Sequence, residues 1–130
     1  MEKTTIQRGF NDHFKEMMND IETVLPNDVD VKTAKNSMTA IMKVNPKIVI
    51  DVWHRRVALL YKSKIEAGDI SFFLDKDYAE DVNLGEKTDV VMDGLNRLRG
   101  PIINLGTHNH EKAMKYLQNL SKLSELYFMN

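Results

Sequence analysis

The chain has 130 residues, with 18 basic and 19 acidic side chains and no cysteine. That length suits one domain burying about two-thirds of its unfolded surface. Near-cancelling charge gives no electrostatic reason to favour nucleic acid or an anionic membrane. The missing cysteine removes thiol nucleophiles, thiolate metal sites and a disulfide scaffold.

The opening MEKTTIQRGFNDHFKE lacks the apolar core of a signal peptide. No apolar run approaches the ~20 residues that span a bilayer. The chain therefore reads as soluble and unexported, with residues 1–5 frayed. Phe10, Phe14, Met17, Ile21 and Val24 then recur at spacings of four and three, which predicts a helix to about Leu25. Its polar face comprises Asn11, Asp12, Lys15, Glu16, Asn19 and Glu22, and Pro26 ends it.

Asn27-Asp28-Val29-Asp30 is a turn cluster whose carboxylates suit a helix start. Val31, Ala34, Met38 and Ile41 give the next apolar stripe, closing near Val44 because the residue before a proline avoids helical geometry. Asn45 caps a third helix with Pro46 at its first position, where the missing N–H costs nothing. That helix is expected to run unbroken to Gly68. Ile50, Trp53, Val57 and Leu60 share one face, and Val49, Tyr61 and Ile65 broaden it, making it the central element.

Gly68 supplies a left-handed stop, and Asp69 caps a short turn carrying Ile70, Phe72 and Phe73. Residues 75–87, DKDYAEDVNLGEK, read as an acidic loop. A helix starting at Thr88 or Asp89 places Val91, Met92, Leu95 and Leu98 inward until Gly100-Pro101 kinks or ends it. Ile102, Ile103 and Leu105 form an apolar link, Gly106 and Asn109 bracket a turn, and His110 to Tyr127 form the last helix. Tyr116, Leu120, Leu123 and Tyr127 are its stripe, with Ala113 and Leu117 flanking. No alternating strand pattern occurs. The fold class is all-α, a compact single-domain bundle of five or six helices spanning residues 1–130.

Sites for chemistry are scarce. His108 and His110 are the one histidine pair, and they read as a helix start, because no further ligands accompany them. Asp75, Asp77, Glu80 and Asp81 place Ala79 fifth and Glu80 sixth, where a calcium loop needs an oxygen ligand and glycine. No phosphate-binding loop, nucleophile elbow or dinucleotide fingerprint is present. No catalytic residue, metal ligand or cofactor is therefore assigned.

Charge is segregated. Residues 43–64 carry Lys43, Lys47, Arg55, Arg56, Lys62 and Lys64 against Asp51 alone, whereas 75–93 hold seven acids against Lys76 and Lys87. These blocks read chiefly as solvated faces that partner one another.

Across residues 10–78, the order of signals in FNDHFKEMMNDIETVLPNDVDVKTAKN, KVNPKIVIDVW and YKSKIEAGDISFFLDKDYAED resembles small uncharacterised proteins of nucleocytoplasmic large DNA viruses of algae and protists. The NPK helix start and the G-D-x-x-F-F-x-x-K-D-Y element carry most of the likeness. The resemblance implies a viral protein in the cytoplasm of an infected cell or in the virion, and brings no catalytic residues.

The reading that follows is a non-enzymatic helical protein acting through protein–protein contacts or self-association. Trp53, Arg55, Arg56, Phe72, Phe73 and Tyr78 are the candidate contact residues, since exposed aromatics and arginines dominate binding energy. The alternative is a nucleic-acid-associated or regulatory module using Arg55, Arg56, Lys62 and Lys64 on phosphates. A basic face continuous with Arg97, Arg99 and Lys115 would favour it, and neutralisation by the acidic block would oppose it.

Overall fold

The computed structural model describes residues 2–72 and 86–129, with side chains omitted for 86–89. Helices α1 (Lys3–Val24), α2 (Val29–Val44), α3 (Ile48–Trp53), α4 (Lys62–Glu66), α5 (Glu86–Ile103) and α6 (Thr107–Met129) pack in an all-α bundle. A π-helical turn, His54–Ala58, follows α3 directly. No strand occurs among the described residues. The pairs α1–α6 and α2–α5 pack most extensively, and α3 lies among them, touching α1, α2, α5 and α6.

Helix α1 begins at Lys3, so the expected fraying of residues 1–5 gives way to a helical turn. Lys3 is held by the opposite terminus, its ammonium 4.7 Å from the centre of the Tyr127 ring. The stripe Phe10, Phe14, Met17 and Ile21 is buried, joined by Ile6 and Met18, whereas Val24 is exposed. Asn11, assigned to the wet face, is buried and donates through Nδ2 to the Pro46 carbonyl at 2.9 Å, fastening α1 to the turn before α3.

Asp28 caps α2, its carboxylate accepting from the Val31 N–H at 3.1 Å. Val31, Ala34, Met38 and Met42 face inward. Asn45 Oδ1 accepts from the Lys47 N–H at 3.3 Å, and α3 becomes regular at Ile48. Trp53 sits at the centre, fully buried, with Phe10 and Phe14 meeting it edge-on at 6.3 and 6.1 Å between ring centres. Such edge-to-face pairs let positive ring edges meet negative faces and add about 0.5–1.5 kcal/mol each beyond area burial.

Helix α4 ends in a Schellman motif: Gly68 at φ +73° lets its own N–H reach the Ile65 carbonyl and the Asp69 N–H reach that of Lys64. The Asp69 carboxylate then accepts from both the backbone N–H and the hydroxyl of Ser71, opening the next turn as expected.

Helix α5 is already helical at Glu86 and continues through Pro101 to Ile103, past the expected break. Pro101 is tolerated because it falls in the last turn, where its buried ring forfeits a single backbone bond. Gly106, at φ +85°, reverses the chain, and α6 follows at once, so Asn109 is helical and donates to the Leu105 carbonyl at 3.0 Å. His110 Nε2 lies 2.7 Å from the Ile102 carbonyl and 3.2 Å from that of Ile103. Carbonyls only accept, so this nitrogen carries the proton and caps the end of α5.

Candidate functional site

The expected single helix from Asn45 to Gly68 is interrupted at its middle. The Leu59 N–H bonds the His54 carbonyl at 3.0 Å, an i to i−5 closure that places one more residue in the turn. One inserted residue rotates everything after it by about 100° around the axis. Tyr61 takes the half-buried position that uninterrupted spacing gives Leu60, and Ile65 is buried one turn later. Leu59 and Leu60 turn outward, 59% and 58% exposed. The inward expectation for Leu60 is corrected by this shift of phase.

The turn is fixed from the α6 side by two hydroxyls. Trp53 Nε1 donates to Ser121 Oγ at 3.1 Å. Ser124 Oγ donates to the Ser121 carbonyl at 2.8 Å, so it accepts from His54 Nδ1, 3.2 Å away. The Phe128 ring stacks on His54 with centres 4.4 Å apart. Burial lowers the His54 pKa, opposed by the carboxylates of Glu125 and Asp51.

Between the π-turn, α4 and α6 lies a cleft of about 330 Å³. Its apolar lining is Ala58 and Ile65, and Ser121 contributes a buried hydroxyl. Gln118 donates to the Ile65 carbonyl at 2.9 Å, while Lys62 and Glu125 approach to 4.0 Å across the opposite end. Lys122 and Glu66 complete the wall.

The six candidate contact residues are dispersed. Trp53 has no exposed surface and Phe72 is buried against Tyr61, ring centres 5.2 Å apart, which corrects both as surface contacts: they are core. Arg55 is exposed and paired with Asp51 at 2.8 Å. Arg56 is half-buried, and its Nε has no hydrogen-bond partner among the described residues. Phe73, Tyr78 and the acidic loop up to residue 85 lie outside the described residues.

Three cations of the basic block have ion pairs among the described residues. Lys64 meets Asp69 at 3.4 Å, Lys62 meets Glu125, and Arg55 meets Asp51. Arg97 is held by Asp93 at 2.9 Å and Asp30 at 3.0 Å, and these bonds raise its pKa. Of the acids in 75–93, Asp93 has a described side chain, and it serves α5 rather than the basic helix.

What sequence reasoning missed are Leu59 and Leu60, because amphipathic spacing assumes a constant 3.6-residue period. No local signal marks the insertion. No protein-family model matches the chain, and no curated protein or solved structure does either. No helix among the described residues is long and apolar enough to cross a membrane.

Proposed function

We propose that this chain is a non-enzymatic helical protein that works by protein–protein contact, with Leu59 and Leu60 as apolar anchors beside the cations Arg55, Lys62 and Lys64. The observation that carries the reading is the π-helical insertion, which presents two adjacent leucines to solvent in the middle of the most central segment. π-Turns recur at functional sites because they trade regular hydrogen bonding for a particular side-chain placement. The occupant that fits is an amphipathic segment with an apolar stripe and acidic flanks. Its carboxylates would exchange with the exposed pairs at Lys62 and Lys64, each worth only about 0–1 kcal/mol. Following the viral resemblance of residues 10–78, the partner is a virion or host-cell protein.

The side chains able to do acid–base work near this surface are engaged structurally. Asp51 holds Arg55, Asp69 holds Ser71, and His54 holds Ser124, which supports a binding role over catalysis. The near-cancelling charge of the whole chain, 18 basic against 19 acidic side chains, counts against the nucleic-acid reading, because phosphate binding draws on a dense excess of Lys and Arg. Affinity capture of the tagged chain with and without nuclease separates the two. Partners that survive nuclease and are lost from a Leu59→Ser/Leu60→Ser variant support the contact reading. Partners that vanish with the nucleic acid overturn it.

A further inference from the structure

The cleft beside the π-turn has features of a small-molecule site. Its volume, about 330 Å³, falls in the lower range of ligand pockets, roughly 300–1,000 Å³. Its apolar floor, Ala58 and Ile65, is nearly inaccessible from bulk solvent. Ser121 is 5% exposed and accepts the Trp53 indole proton, so its own hydroxyl proton remains to be donated, with no acceptor among the described residues. That is an oriented donor at the base of the cleft.

The charges along the wall are balanced. Lys62 and Glu125 offset each other at one end, leaving Lys122 and Glu66 with no ion pair among the described residues. A simple anion entering here would gain Lys122 but face Glu66, and a simple cation would meet the converse. A ligand carrying both charges satisfies both walls, and an aliphatic body covers the floor.

We propose that this cleft binds a free aliphatic α-amino acid, its carboxylate on Lys122 and the Ser121 hydroxyl, its ammonium on Glu66, and its side chain over Ala58 and Ile65. The site shares Lys62 with the leucine surface, but its ligand contacts, Ser121, Lys122 and Glu66, take no part in the contact reading.

Trp53 is the single tryptophan and bonds the same Ser121 hydroxyl, so its emission reports occupancy directly. The experiment titrates the full chain with leucine, with isocaproate, which lacks the ammonium, and with isoamylamine, which lacks the carboxylate. A saturable shift with leucine, and affinities weaker by about tenfold or more for each half-analogue, are expected for charge-assisted contacts. Lys122→Met should shrink the preference for leucine over isoamylamine to what the Ser121 hydroxyl alone sustains, and Glu66→Gln should abolish the preference over isocaproate. Both residues are at the rim, so the fold is retained. No saturable response at millimolar leucine, equal affinity for all three compounds, or preferences unchanged in the two variants would each overturn the assignment.

Discussion

The indole of Trp53 and the hydroxyl of Ser121, 68 residues apart in sequence, meet at 3.1 Å in the interior and join the π-turn to the C-terminal helix. Ser121→Ala leaves a buried N–H without a partner. We expect it to destabilise the fold by about 1–3 kcal/mol, the desolvation penalty of an orphaned donor. Trp53→Phe removes the donor and part of the packing together. In urea unfolding followed by circular dichroism, the double variant should lose less than the sum of the single losses, by about 0.5 kcal/mol or more. Strict additivity would show that the bond contributes nothing.

His54 makes the turn sensitive to acid. Burial lowers its pKa from the ordinary 6.5, so the folded chain holds the neutral ring while the unfolded chain protonates first. The stability this confers is present above 6.5 and lost as pH falls from there through the depressed folded value. Urea midpoints should therefore decline across that window, and His54→Gln should flatten the decline. An unchanged slope in the variant would assign it to other groups.

Tyr116 and Asp20 bracket the opposite face, where the phenol donates to the carboxylate and Lys112 stands 3.4 Å away. The bond from Tyr116, ahead of Lys112, lowers the Asp20 pKa below 3.8, whereas burial and then Asp20 raise that of Tyr116 well above 10.0. The carboxylate's contribution is present above 3.8 and lost as pH falls through its depressed value. The phenol's is present below 10.0 and lost as pH climbs through its raised one. Tyr116→Phe should remove the alkaline edge from a stability–pH profile and shrink the acid edge, which Lys112 still sustains. Persistence of the alkaline edge would contradict this pairing.

Two glycines in helix interiors should respond oppositely to alanine. At Gly94 an added Cβ would lie 2.7 Å from the Met38 sulfur and 3.0 Å from its Cγ, and Met38 is fully buried, so its side chain must repack within a filled core or α2 and α5 must shift apart. Overpacking of that kind costs about 1–3 kcal/mol. At Gly9 nothing lies within 4 Å. There alanine should stabilise by roughly 0.5–1 kcal/mol through helix propensity alone. Thermal unfolding of the two variants reads both signs.

Much of this fold is legible in the sequence because cap residues and 3.6-residue spacing act locally: Asp28, Gly68 and the Phe10–Ile21 stripe each specify their own neighbourhood. The failures share a cause. The π-turn answers to Ser121 and Ser124 on a distant helix, and Asn11 is buried because Pro46 offers it a carbonyl. Trp53 looked like a contact residue beside two arginines, yet Phe10 and Phe14 enclose it. The helix through Pro101 likewise persists because packing around buried Leu98 and Ile102 outweighs one missing backbone bond.

The most direct measurement compares the wild-type chain with Leu59→Ser/Leu60→Ser in nuclease-treated affinity capture, after urea unfolding has fixed the stability of each. Both leucines project into solvent, so stability should agree within about 0.5 kcal/mol, while the captured partners disappear from the variant. An intact variant that retains every partner would contradict the assignment of this π-turn as the contact surface.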